Sequence, residues 1–337
     1  MVPLLVAFAH FAAQEASLRG TVVSAETGLP LAYSIVTRHP SSETQFTDAR
    51  GAFAFQGTPG TYLLSVRHVG YTPLDTQVVV REDSAPVFRV ALRGLAIELP
   101  PVTVAPTVCN DPGAPDSSDR ALWEVFNQLQ ENARRYELLA KSYPFQYVLE
   151  LSDRIVSQRG DTGHPEVRKL RFSSSDNRPY ARGRVVEPAY GPWGNPATTL
   201  VIRSAELSDL GNADFIEHHC FQLAGIDTLG GDALVRIDFE PATHIRTADM
   251  AGSAYLDPIT YELRYTRTAL TRPERSALRG VRSMTFLTRF RNIAPGVVLQ
   301  DSLASVTTYW YGWQRAAIGT QRTFDVRFTR KAPPLVP

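Results

Sequence analysis

Four consecutive residues, Glu217-His218-His219-Cys220, most invite a metal. Read as a strand, they put His218 and Cys220 on one face and Glu217 and His219 on the other. A catalytic zinc site needs two ligands anchored on one element, most simply His-x-x-Glu or His-Glu-x-x-His. None of His10, His39, His68, His164, His218, His219 and His244 has a glutamate three residues on. The cluster therefore reads as a polar strand beside an oxidised cysteine. Asp238 and Glu240 are two apart, with Asp249 and Asp257 downstream. A carboxylate pair can run glycoside hydrolysis at the right separation. Here the run Arg236-Ile237-Asp238-Phe239-Glu240 alternates charge with apolar bulk, the ordinary solvated side of an amphipathic strand. There is no nucleophile elbow, P-loop or dinucleotide fingerprint. No residue is assigned a catalytic, cofactor-binding or metal role, and the chain is expected not to be an enzyme.

The two cysteines, Cys109 and Cys220, are expected to form a disulfide rather than remain two unrelated buried thiols. That needs an oxidising compartment. Leu4 to Ala13 is a short apolar run ending in small residues, similar to the hydrophobic part of a secretory signal, though no basic residues precede it. It is too short to span a bilayer, and no later apolar run reaches spanning length. The expected location is the periplasm, the cell surface or the medium. A net charge of +1 argues against a nucleic-acid partner. Only Lys141, Lys169 and Lys331 are lysines, a bias that suggests a GC-rich bacterial genome.

The elements that must carry these residues are mostly strands. From Leu18 to Leu92, turn signals recur at Thr27-Gly28, Asp48-Ala49-Arg50-Gly51 and Pro59-Gly60. Asp48 can accept from backbone N–H groups two residues on. Gly51 can take a positive φ, and Pro59-Gly60 suits a type II turn. Between the turns, Phe53 and Phe55 share a face, as do Tyr62, Leu64 and Val66, and Phe88, Val90 and Leu92. Alternation at this spacing predicts a small antiparallel sandwich.

These motifs, with Gly20, Gly28-Leu29-Pro30-Leu31, Thr47 to Phe53, Pro59 to Tyr62 and Gly70-Tyr71, resemble the carboxypeptidase regulatory-like domain. The resemblance implies a transthyretin-like sandwich of about seven strands. It also implies an accessory module without catalysis, found on peptidases, receptors and envelope proteins. Glu98 to Ala105 is similar to the short strand that often trails this domain.

Thr107 to Ser118 is rich in proline, glycine, aspartate and serine and reads as a linker. Ser117, Ser118 or Asp119 can cap a helix over Arg120 to Tyr143. Leu122, Phe126, Leu129, Ala133, Tyr136 and Ala140 form one apolar stripe, with Glu124, Gln128, Glu131 and Arg135 opposite. Strands are expected at Tyr147–Leu151, Val167–Phe172, Arg184–Val186, Leu200–Ile202, Leu234–Glu240, Ala254–Leu256, Tyr261–Tyr265, Met284–Phe290, Val297–Thr308 and Thr323–Phe328. The later strands are similar to half-barrel lipoprotein-carrier folds, in which a curved sheet wraps a helix. Tyr309-Trp310-Tyr311-Gly312-Trp313 reads as core filling; exposed, it would stack on sugars or sit at a membrane interface.

The expected fold is mainly β: a transthyretin-like antiparallel sandwich, then an α+β domain with one long helix on a curved antiparallel sheet. The expected divisions are 1–16 signal peptide, 17–105 sandwich, 106–117 linker, 118–330 α+β domain and 331–337 tail. The expected function is a non-catalytic exported envelope protein with a binding or structural role. An enzyme with its site in the second domain, or an apolar-ligand or lipid carrier, are the alternatives. Partners would be an envelope protein, a glycan or an apolar ligand, with no cofactor.

Overall fold

The computed structural model describes residues 16–81, 87–98, 108–176, 179–190 and 196–329. The expected signal segment, most of the trailing strand at Glu98 to Ala105 and the 331–337 tail lie outside them. The chain forms two compact units, one up to Gly94 and one from Leu95 onward.

In the first unit, β1 (Ala16–Ser24), β2 (Ile35–His39), β3 (Glu43–Phe46), β4 (Ala52–Gly57), β5 (Gly60–Arg67), β6 (Leu74–Val80) and β7 (Val87–Leu92) form two sheets. Their orders are β4-β1-β7 and β3-β2-β5-β6. The alternation closes one core from both sheets: Leu18, Phe53, Phe55 and Val90 meet Val36, Leu64, Val66 and Val78. Asp48 Oδ1 accepts from Arg50 and Ala52 N–H, each at 2.8 Å, and Gly51 sits at φ 72°. Two expectations need correction. β1 and β7 run parallel. Gly60 does not take the positive φ of a type II turn; it is already in strand, paired with Val80.

In the second unit, α1 (Arg120–Ser142) follows Asp119, whose carboxylate accepts from Leu122 N–H. The strands are β8 (Phe145–Ser157), β9 (Glu166–Ser173), β10 (Val186–Tyr190), β11 (Pro196–Ile202), β12 (His219–Leu229), β13 (Asp232–Pro241), β14 (Asp249–Leu256), β15 (Leu263–Thr271), β16 (Val281–Ala294), β17 (Val297–Tyr309) and β18 (Gln314–Phe328). A short helix, α2 (Ala213–Glu217), precedes β12. Nine strands make one antiparallel sheet in the order β12-β13-β14-β15-β16-β17-β18-β8-β9, and β10 and β11 pair separately. Val235, Ile237 and Phe239 are buried as the alternation requires.

The helix departs from its expected orientation. Phe126, Leu129 and Ala133 are buried, but so are Gln128, Glu131 and Arg135 on the face expected to meet water. The cause is that α1 is gripped from more than one side. Asn132 donates to the Tyr261 carbonyl (2.9 Å) and accepts from Leu263 N–H (2.9 Å), fixing α1 to the β14–β15 turn. Arg135 donates to the Gly296 and Pro295 carbonyls at 2.6 and 2.9 Å, fixing it to the β16–β17 turn. Turn carbonyls left unpaired by the ladder need donors. Periodicity alone cannot show that polar helix residues supply them.

Cys109 and Cys220 are joined, with Cα atoms 5.5 Å apart. The bridge sits in a small apolar cluster with Ala242 and Ile245. Part of the expected linker is thus tied down: Gly113 N–H donates to the His219 carbonyl, and Thr243 N–H to that of Cys109.

Candidate functional site

A helix with its side chains is about 10 Å wide, and strands lie about 4.8 Å apart, so α1 can cover only a few of nine strands. It packs on β12, β13 and β17. The inner positions of β8 are left only half-buried, and most of β9 is exposed. At this end of the sheet lies a cavity of about 730 Å³. Its apolar wall comes from Tyr136 on α1, Tyr147 and Leu149 on β8, Phe172 on β9, and Phe290 and Leu299 on β16 and β17. Tyr147 stacks on Phe172, with ring centres 5.9 Å apart, and Phe145 fills in behind them. Burial raises the Tyr147 hydroxyl to about 12, so it stays a neutral donor.

Arg171, Asp176 and Glu187 add charge to the lining, and further polar groups, Arg203, Glu206 and Ser208, come from the segment 203–208. Its position is set by the single turn Asp209–Gly211, which sits directly on α1. A side chain at Gly211 would clash with Ala133. Asp209 is buried, and its carboxylate accepts from the Tyr180 and Glu206 N–H groups, each at 2.9 Å. Arg203 donates to the Pro179 carbonyl. The Arg203 guanidinium lies 3.8 Å from Asp209 and 4.0 Å from Glu206. Burial, then repulsion from Asp209, raises the Glu206 carboxyl to about 7 against the pull of Arg203. Burial raises Asp209 to about 6, opposed by its hydrogen bonds and Arg203. The Glu206 side chain keeps 47% of its surface accessible, since it lines the cavity. The site is a half-apolar, half-ionisable chamber whose rim charge changes near neutral pH.

The residues singled out in the sequence lie elsewhere. Glu217 closes α2 rather than lying on a strand, so the expected face pairing does not apply. His218 turns back onto Asp214, with Nδ1 2.7 Å from its carbonyl. His219 is buried against Phe215, with ring centres 3.9 Å apart. Its nitrogens face the Phe215 and Met250 carbonyls, and Asp249 lies 3.7 Å away. Burial lowers its pKa against the opposing effect of Asp249. Cys220 is in the disulfide. Among the described residues, no three His, Cys, Asp or Glu side chains converge as metal ligands would.

Three of the four carboxylates also have structural partners. Asp238 pairs bidentately with Arg236. Asp249 accepts from the Tyr180 hydroxyl at 2.6 Å. Asp257 caps the β14–β15 turn through Ile259 and Thr260 N–H. Glu240 is exposed. The aromatic run is not core filling: Trp310, Tyr311 and Trp313 are 65, 69 and 66% exposed. Sequence reading missed Glu206 and Asp209. Their one signal was Glu206-Leu207-Ser208-Asp209, an acid–acid spacing in a stretch without clear periodicity.

Residues 17–93 match the carboxypeptidase regulatory-like domain, as the turn spacing led us to expect. No curated protein matches the chain in sequence. Among solved structures, a DUF1329 family protein from Desulfovibrio piger is 9% identical. It has a TM-score of 0.34, with 62% of this chain and 95% of that one covered. A domain described as an outer membrane lipoprotein-sorting protein, from Vibrio parahaemolyticus, is 11% identical at a TM-score of 0.35, covering 61% and 94%. A LolA superfamily protein from Nitrosomonas europaea is 9% identical at 0.28, also covering 61% and 94%. All three are distant resemblances. Among the described residues, no helix is long and apolar enough to cross a membrane.

Proposed function

We propose that this protein is a non-catalytic binding protein of the bacterial envelope that holds an amphipathic small molecule in the second unit's cavity. The observation that carries this reading is the chamber of about 730 Å³ with an aromatic and aliphatic wall facing an Arg203–Glu206 rim. That volume is in the range of small-molecule sites, which are mostly apolar with a few placed polar groups. An apolar chain fits against Leu149, Phe172 and Leu299, and a polar head fits Arg203. The Cys109–Cys220 bridge supports export, since disulfides persist in oxidising compartments. The regulatory-like module over residues 17–93 supports an accessory rather than a catalytic setting. The test is native mass spectrometry of protein purified from the periplasm without detergent. The expected result is a discrete adduct of one small molecule, released by organic solvent. A bare polypeptide that also fails to take up a long-chain fatty acid would overturn the reading.

One observation favours the enzyme alternative. A carboxyl raised to about 7 on the cavity wall, beside a buried one raised to about 6, is the kind of perturbed pair that general acid–base catalysis uses. It would require turnover of a bound molecule that Glu206→Gln abolishes.

A further inference from the structure

The tip between β17 and β18 differs from the other hairpin tips of the same sheet. The β12–β13 link is Gly230-Gly231, both at positive φ, and β16–β17 turns at Pro295-Gly296. Those residues are there for turn geometry. The β17–β18 link is Trp310-Tyr311-Gly312-Trp313, where only Gly312, at φ 104°, has a conformational reason. Its three aromatic side chains are each about two-thirds exposed. Large rings clustered in water at a turn mark a surface made for contact.

The tip is also held in place. Trp310 N–H donates to the Gly280 carbonyl at 2.9 Å. Gln158 donates three times: its N–H to the Trp313 carbonyl, and its side-chain amide to the Gly312 and Gln314 carbonyls. Three of the residues joined by these bonds have an exposed arginine beside them in the chain. Arg159 follows Gln158, Arg279 precedes Gly280, and Arg315 follows Gln314. Arg282 lies over the Trp310 ring, 4.8 Å from its centre. The turn that carries Gln158 and Arg159 also carries an acid, Asp161, whose carbonyl accepts from Ser157 N–H.

We propose that the β17–β18 tip is a docking surface for an anionic phospholipid bilayer. Tryptophan and tyrosine favour the headgroup level, where an apolar ring body and a polar edge are both satisfied. Arginines around them are drawn to anionic headgroups. A glycan platform fits less well: sugar hydroxyls need neighbouring acceptors, and Arg282 already occupies one face of Trp310. This surface is separate from the cavity, and its failure would leave the ligand reading intact.

The test is co-sedimentation of the full chain with phosphatidylcholine vesicles, with and without phosphatidylglycerol. We expect binding that needs phosphatidylglycerol and weakens with salt. Trp310→Ser/Trp313→Ser should reduce partitioning by roughly tenfold or more. Arg279→Gln/Arg282→Gln/Arg315→Gln should reduce it by about fivefold per charge removed. The single change Trp313→Ser, with the melting temperature measured, guards against misfolding of the double variant. The proposal fails if the wild type stays in the supernatant with anionic vesicles, or if the aromatic variants sediment as it does. It fails equally if the tip is needed for retention on insoluble peptidoglycan and not for vesicles.

Discussion

At Glu206 the rim chemistry becomes measurable as a pH effect. Its carboxyl is raised to about 7 from an ordinary 4.5, and Asp209 to about 6 from 3.8. Between each unfolded value and the folded one, the native state binds more protons than the unfolded chain. Stability therefore falls as pH rises through about 4 to 7, and the loss is complete above 7. His219 has the opposite sign: its lowered folded pKa costs stability as pH falls below the unfolded value of 6.5. Glu206→Gln is expected to flatten the decline in melting temperature between about pH 5 and 7. An unchanged slope would mean that the carboxyl is not raised. Arg135 is a second residue-scale case. Burial lowers its pKa to about 10, so it is still charged at neutral pH. Arg135→Ala removes two charge-assisted bonds, one to a buried and one to a half-buried turn carbonyl, and should cost about 3 kcal/mol in denaturant unfolding. Exposed Arg134→Ala should cost under about 0.5 kcal/mol. Equal effects would refute the clamp. Neither Glu206 nor Arg135 was legible beforehand. Arg135 follows the outward spacing of an amphipathic helix, and only the contact with Pro295-Gly296 reverses its meaning.

Among elements, strands were the easiest to read, because alternation reports burial directly. The β13 run and the Phe53/Phe55 pair came out as the pattern required. β12 was glimpsed only around Cys220, because Gly225 and its bulge interrupt the alternation. The inner face of β15 and β16 holds another surprise. Thr266, Thr268 and Thr288 are 1–2% exposed, and their hydroxyls find no hydrogen-bond partner among the described residues. A buried hydroxyl without a partner costs stability, so Thr268→Val should leave the protein equally stable or raise it by about 1 kcal/mol. A loss of that size would show that water satisfies the hydroxyl.

For the whole molecule, the cysteine count already held the one covalent constraint, though not its setting. The bridge closes a separation of 111 residues, tying the segment before α1 to β12. The loop-entropy relation gives a stabilisation of up to about 4–5 kcal/mol. Cys109→Ser/Cys220→Ser should therefore unfold at clearly lower urea with a similar slope, and protein from the periplasm should titrate no free thiol. Two free thiols per chain would remove the support for export. Composition and motifs could show only which signatures the sequence carries. The cavity was beyond them, because it lies where a nine-stranded sheet extends past α1.

The most direct test of that cavity is equilibrium binding of a fluorescent fatty-acid analogue to the full chain, compared with Leu149→Trp/Gln321→Phe. Both positions line the chamber and are only half-buried, so added bulk should occupy the space without displacing the core. Saturable binding at one site is expected, weakened by roughly tenfold or more in the filled variant at unchanged melting temperature. Equal affinity in both proteins, or no saturable binding in the wild type, would contradict it.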